Sequence, residues 1–251
     1  MLCFSEDSQD TYFANSCEKR FQWQTENPFV CEAERDLLRS VGILPGSRVL
    51  EVGCGTGSNL GNLRAMGTLC SFTGVDINST EIDFARRRFP HDQFFVGDAA
   101  AIPLPGETFD VVFCRDLLHH LELSKQQVII QEMARLTRVG GRIVIIESNA
   151  RNTVIRVFGT VVKVERGVLF STPERIEVLV REMPNLTAAA PGIIFAEPCN
   201  LFRIILHYKS GFPGLARYTL VREILRCMND AAARVLPANR WAYMIVTACR
   251  K

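Results

Sequence analysis

No two of the nine cysteines in this 251-residue chain stand in C-x-x-C spacing, and their number is odd. A zinc ribbon, a thioredoxin motif and a regular disulfide framework are therefore excluded. Scattered thiols in a chain of this size fit a reducing cytoplasm. No stretch approaches ~18 uninterrupted apolar residues, so no transmembrane helix is expected. The first residues, Met1-Leu2-Cys3-Phe4-Ser5-Glu6-Asp7, lack the basic-then-apolar order of a signal peptide. The four histidines, His91, His119, His120 and His207, lack regular metal-ligand spacing, and no metal is expected. There is no internal repeat and no low-complexity tract. With 47 % apolar residues, disordered and fibrous classes are out as well.

What is present alternates. Arg48-Val49-Leu50-Glu51-Val52 reads as a short strand ending in a glycine loop, with a helix to about Ala65. Ser71–Asp76 reads as a second strand, and Ser79–Arg88 as a helix. Gln93–Val96 and Phe109–Cys114 read as strands, and Ser124–Thr137 as a helix with Ser124 and Gln127 at capping-box spacing. Gly140-Gly141 reads as a turn before a fifth strand, Arg142–Glu147. Strands spaced by helices imply parallel β-α-β units with helices on both faces, and unbroken apolar runs such as Ile143-Val144-Ile145-Ile146 suit a doubly covered sheet. Residues 1–44 read as a helical cover, with a helix over about Cys31–Val41. Residues 45–251 form the main domain, in which 148–172 is an insertion and 173–251 the acceptor-side part. In that part, a helix opens at Ser171-Thr172-Pro173-Glu174. A strand over Gly192–Ala196, a helix over Leu215–Leu236 and a final strand over Trp241–Ala248 follow.

The most informative stretch is Glu51-Val52-Gly53-Cys54-Gly55-Thr56-Gly57. Glycines between a strand and a helix let a ligand approach the backbone. A dinucleotide fingerprint needs G-x-G-x-x-G, but Ser58 stands where the last glycine belongs. Glu51 would repel a pyrophosphate and favour a cation. Asp76 ends the second strand, where a carboxylate accepts ribose hydroxyls, and Asp98 ends the third, where a side chain can meet an adenine amino group.

Together with Gly74-Val75-Asp76, Gly97-Asp98-Ala99, Phe109-Asp110-Val111-Val112 and Arg138-Val139-Gly140-Gly141, this loop resembles the class I S-adenosylmethionine-dependent methyltransferases over about residues 45–147. The resemblance implies a Rossmann-like, doubly wound α/β sheet of seven strands with the last antiparallel. It implies S-adenosyl-L-methionine as cofactor. Glu51, Gly53, Cys54, Gly55 and Gly57 would serve its methionine end, Asp76 its ribose, and Ile77, Asp98 and Ala99 its adenine. Backbone at Cys114-Arg115 would meet its amino group. The aromatic N-terminal segment, with Tyr12, Phe13, Phe21 and Trp23, is either a lid, with Tyr12 touching the cofactor, or packing on the sheet edge.

Absences narrow the acceptor. Arg115-Asp116-Leu117-Leu118 stands where base-methylating enzymes carry an Asn/Asp-Pro-Pro-aromatic motif, so nucleic-acid partners are disfavoured. The paired-glutamate loop of protein arginine methyltransferases is missing, with only Glu122 present. Asp116-Leu117-Leu118-His119-His120-Leu121 matches a pattern of small-molecule methyltransferases. His119 or His120 is either a general base, or one packs under the cofactor loop and the other is solvated. Glu147 is either structural or positions substrate. The region from Asn149-x-x-Asn152 through Glu165-Arg166-Gly167 to Phe170-Ser171 resembles a bacterial subgroup linked to lipid-linked sugars and natural products. The expected partner is thus a small-molecule or lipid-linked acceptor. A nicotinamide-dependent oxidoreductase and a non-catalytic cofactor-binding protein are the alternatives.

Charge is uneven. The total is +2, but residues 1–150 sum to −6 and residues 151–251 to +8. Arg151, Arg156, Lys163, Arg166, Arg203, Lys209, Arg217, Arg222 and Arg226 supply much of the basic excess. It fits an anionic acceptor, an anionic membrane surface touched peripherally, or an ordinary solvated arginine-rich surface.

Overall fold

The computed structural model describes residues 16–198, 205–209 and 211–251. Two helices come first, α1 (Cys17–Thr25) and α2 (Val30–Arg39). Then follow β1 (Arg48–Val52), α3 (Ser58–Ala65), β2 (Ser71–Asp76), α4 (Ser79–Arg88), β3 (Gln93–Val96) and β4 (Phe109–Arg115). A 3₁₀ turn, Leu118–His120, leads to α5 (Leu123–Leu136) and β5 (Thr137–Glu147). Beyond β5 lie α6 (Thr153–Val161), a 3₁₀ segment Lys163–Phe170, α7 (Pro173–Arg181), β6 (Leu186–Pro198), α8 (Thr219–Val235), α9 (Ala238–Trp241) and β7 (Ala242–Arg250). No helix among the described residues is long and apolar enough to cross a membrane.

The seven strands form one sheet in the order β3-β2-β1-β4-β5-β7-β6. β1 to β5 pair in parallel, and β7 runs antiparallel to both β5 and β6. The expected Rossmann-like topology with an antiparallel last strand is what forms. Period-two alternation builds both faces of the core. Leu50, Val112, Cys114, Ile143 and Ile145 pack on one side with Ile129 and Met133 of α5 and Ile176 of α7. Val49, Val111, Phe113, Val144 and Ile146 pack on the other with Leu37, Leu60 and Ile82 from α2, α3 and α4. Both faces are covered, which is why the strands carry unbroken apolar runs.

Three local expectations need correction. Gly140-Gly141 is not a turn: it lies inside β5, where Phe109 pairs with Thr137 but Val111 with Arg142. The extra residues bulge there, with Gly140 at φ 73°. Ser124 does not cap α5, which starts from Glu122 with no side-chain cap and takes Ser124 into its first turn. β6 runs from Leu186, well before Gly192, because its partner β7 is long enough to pair with it as far as Arg250. By contrast Thr172 does cap α7, its hydroxyl accepting from the Arg175 amide, and Pro173 follows at the first turn.

The first two helices are tied to the sheet by buried charge. Arg20 of α1 pairs with Glu81 of α4 at 2.5 Å. Glu34 of α2 pairs with Arg115 at the end of β4, and both side chains are almost fully enclosed. Phe21 packs on Phe84 and Phe89, and Trp23 donates its indole N–H to the Leu206 carbonyl at 2.6 Å. Of the aromatic segment, Tyr12 and Phe13 lie outside the described residues.

A buried ion pair costs most when one partner is removed, because the other is left charged without compensation. Glu34→Ala is therefore expected to lower unfolding stability in urea by about 3–5 kcal/mol. The double variant Glu34→Leu/Arg115→Met is expected to recover most of it. A loss below about 1 kcal/mol in the single variant would show that this pair does not hold α2 to the sheet.

Candidate active site

A cavity of about 370 Å³ opens along the C-terminal ends of β1, β2 and β4, where ligands of open α/β sheets bind. β1 carries Glu51 into its wall with only 1 % of the residue exposed. Glu51 Oε1 accepts from Asn59 Nδ2 at 2.5 Å, whereas Oε2 is buried with no hydrogen-bond partner. Burial pushes this carboxyl up to about 8, against the opposing pull of Asn59 and Arg115. Arg115 cannot spare its charge: its guanidinium bonds Glu34 and donates to Asn59 Oδ1 at 3.0 Å. Glu34, Arg115, Asn59 and Glu51 thus form a continuous polar chain from α2 to the cavity.

The glycine loop turns tightly under this carboxylate. Gly53 and Gly55 hold φ 76° and 51°. A Cβ on Gly53 would stand 2.9 Å from the Leu117 side chain, and one on Gly55 would stand 2.6 Å from Glu81. Gly57, also at positive φ, starts α3. The Gly55 amide donates to Asp76 Oδ2 at 2.8 Å and the Asn78 amide to Asp76 Oδ1 at 2.9 Å, which fixes the carboxylate at the cavity edge. Burial, with Glu81 nearby, pushes Asp76 up to about 6. Ile77 lines the cavity and is exposed. Cys54 also lines it, although its thiol packs in the core against Gly74. An unpartnered buried carboxylate oxygen fits a cationic group and is wrong for a pyrophosphate, so the residues present fit the methionine end of S-adenosylmethionine.

Asp98 and Ala99 are not brought into the cavity wall. Asp98 is exposed past the end of β3, its carboxylate accepting from the Ala100 amide at 2.8 Å. Tyr12 lies outside the described residues. Glu147 is fully buried behind the wall rather than in it. Its Oε1 accepts from the Leu118 amide at 2.7 Å and its Oε2 from His119 Nδ1 at 2.7 Å.

His119 and His120 do line the cavity, their rings tilted by 46° with centroids 4.1 Å apart. Their environments push their pKa values in opposite directions. Burial opposes the charge on His119, but Glu147 and Glu165 outweigh it and hold the imidazole well above its ordinary value. Burial and the neighbouring His119 push His120 down to about 4. Neither is poised near 7, where general-base work is most efficient. Sequence reasoning missed Asp116, Ser148, Glu165 and Tyr243, all of which line the cavity. Asp116 holds a strained φ of 48° and accepts from the Ser148 hydroxyl at 2.9 Å. Glu165 enters because the 3₁₀ segment lies directly on the Leu118–His120 turn. A Cβ on Gly167 would sit 1.6 Å from the His119 carbonyl oxygen, so only glycine permits that contact. Gly167, next to Arg166, was the available signal.

A family model described as a methyltransferase domain matches residues 50–145. Residues 50–145 are thus similar to a methyltransferase domain. A fatty-acid O-methyltransferase of Mycolicibacterium smegmatis is 39 % identical over 100 residues, covering 38 % of this chain and 35 % of the relative. The match thus spans about a third of that relative's length. Among solved structures, phosphoethanolamine N-methyltransferase 2 of Haemonchus contortus, in complex with S-adenosyl-L-methionine, superposes with TM-score 0.65 at 18 % identity, covering 99 % of this chain and 60 % of that one. The [4+2]-cyclase SpnF superposes with TM-score 0.64 at 17 % identity over 97 % of this chain and 94 % of that one. At these identities the structural likeness shows the fold of the methyltransferase domain, not its reaction.

Glu51 and Asp76 both bind protons more tightly when folded than an ordinary carboxylate does. Their contribution to stability is complete below about pH 4 and is lost as pH rises through about 6 for Asp76 and about 8 for Glu51. The melting temperature of the ligand-free protein is expected to fall between about pH 5 and about pH 9. Glu51→Gln is expected to remove the upper part of that fall. Identical pH profiles for the two proteins would show that Glu51 is ionised at ordinary carboxylate pH.

Proposed function

We propose that this protein transfers a methyl group from S-adenosyl-L-methionine to a small-molecule or lipid-linked acceptor. The observation that carries the reading is the unpartnered Glu51 oxygen at the end of β1, with Asp76 one strand away. Glu51 would take the ammonium of the cofactor's methionine end and Asp76 the ribose hydroxyls. Ile77 would pack on the adenine, with Asp98 and Ala99 reaching it only at the outer end of β3. When bound, the cofactor supplies an electrophilic methyl group on a positively charged sulfur. The chain's task is then to align an acceptor and exclude water.

The acceptor end of the cavity supports an apolar guest. Leu121, Ile155, Phe158 and Val168 form wall there, as do Trp23 and His207, whose rings meet edge to face at 5.1 Å. The fatty-acid relative is consistent with such a guest. The basic excess gives no support to an anionic one. Among the described residues, none of the basic side chains singled out after residue 150 lines the cavity. Arg151 is spent on Glu174 and Arg226 on Glu32 and Glu223. His119 and His120 face the acceptor, and Glu147 orients His119 from behind.

Calorimetry of the full chain with S-adenosylhomocysteine and with NAD tests the cofactor reading. S-adenosylhomocysteine is expected to bind and NAD not to, and Asp76→Ala is expected to weaken binding at least about tenfold, by loss of charge-assisted hydrogen bonds. Methyl transfer from labelled S-adenosylmethionine to a panel of fatty acids, quinols and polyketide alcohols tests the reaction. Tight NAD binding alone, or cofactor binding with no turnover on any acceptor class, would overturn the proposal.

A further inference from the structure

Two adjacent histidines and a carboxylate 45 residues further along the chain meet at the acceptor end of the cavity. His119 Nε2 is buried, makes no hydrogen bond, and stands 3.4 Å from Glu165 Oε2. His120 Nε2 stands 4.0 Å from the same oxygen. One donor atom from each residue lies within 4.8 Å of the other two. A transition metal holds imidazole nitrogen and carboxylate oxygen at about 2.0–2.2 Å, which sets neighbouring donors roughly 3–3.5 Å apart. The His119–Glu165 separation already meets this, and the His120 separation needs a closure of about half an ångström.

The far side of each ring points the same way. Metal-binding histidines nearly always donate their second N–H to a carboxylate or a backbone carbonyl, which fixes the tautomer. His119 Nδ1 meets Glu147 Oε2 at 2.7 Å, and Glu147 is itself held by the Leu118 amide. His120 Nδ1 meets the Val164 carbonyl oxygen at 3.3 Å. A carbonyl only accepts, so in neutral His120 the proton sits on Nδ1 and the lone pair on Nε2, towards Glu165. The bare contact of Gly167 with the His119 carbonyl lays the Glu165 segment on the turn that carries both rings.

We propose that His119, His120 and Glu165 form a binding site for a divalent first-row transition-metal ion at the acceptor end of the cavity. Two imidazoles and one carboxylate select manganese, iron, cobalt or zinc over calcium and magnesium, which prefer all-oxygen sets. All three residues line the cavity, so the ion is open to an oxygen of the acceptor. That role rests on the methyl-transfer reading; the binding of the ion does not. The histidine spacing alone gave no hint of a metal, because the third ligand comes from a 3₁₀ segment 45 residues after His120.

The test is titration of tag-free, chelator-treated full-length protein with Co²⁺, followed by visible absorption and by equilibrium dialysis. One ion per chain is expected, with ligand-field bands and no thiolate charge-transfer band. Glu165→Gln and His120→Ala are each expected to weaken affinity at least tenfold. S-adenosylhomocysteine affinity and the circular dichroism spectrum are expected to stay the same, which separates loss of the ion from loss of the fold or of the cofactor site. Less than half an ion per chain, a thiolate band, or affinity unmoved by both substitutions would overturn the site. A Co²⁺ site confirmed in a protein that fails to bind S-adenosylhomocysteine would sink the methyl-transfer reading and leave the metal site standing.

Discussion

The half-satisfied carboxylate of Glu51 is the constraint around which the cofactor end of this molecule is arranged. Burying a charge with one oxygen unpartnered is costly, and the group responds by holding its proton to about pH 8. The surroundings do not relieve it. Asn59 satisfies one oxygen, and the nearest cation, Arg115, is committed to Glu34. The chain from α2 through Arg115 and Asn59 to Glu51 therefore couples the cover helix to the ligand-binding loop. It leaves a carboxyl that is protonated in the free protein and that a cationic group at its open oxygen would ionise.

The acceptor end follows a different logic. There the crowding is steric as well as electrostatic: Gly167 lets the segment after α6 touch the turn after β4. Two carboxylates, Glu147 and Glu165, converge on His119 from opposite nitrogens. The pair of histidines is thereby split, one holding a proton strongly and the other weakly. A bound cation between Glu165 and the two rings would replace that proton, so the cluster is poised to exchange one positive charge for another.

The parallel half of the fold was legible from sequence because strand, glycine loop and helix recur with clear punctuation over residues 48–147. Ser71–Asp76, Ser79–Arg88 and Gln93–Val96 form as the apolar pattern predicts. The long β6 was not legible, since its start depends on pairing with β7 rather than on its own pattern. Glu51 and Asp76 reach the cavity wall because strand ends place side chains along the C-terminal edge of the sheet by topology alone. Asp98 follows the same rule yet points to solvent, which shows that a strand end sets position but not side-chain direction. Glu165 left only a faint trace, the nearby Gly167, because long-range packing through that glycine brings it in. The charge asymmetry persists as a surface property, part of it taken up by ion pairs such as Arg226 with Glu32 and Arg151 with Glu174.

The most direct test of the account is a ¹³C NMR titration of the Glu51 carboxyl, assigned by comparison with Glu51→Gln, in the free protein and at saturating S-adenosylhomocysteine. A midpoint near pH 8 is expected in the free protein. With ligand bound, the carboxyl is predicted to stay ionised throughout the neutral range. A free-protein midpoint near the ordinary value of about 4.3, or a midpoint unmoved by the ligand, would contradict it.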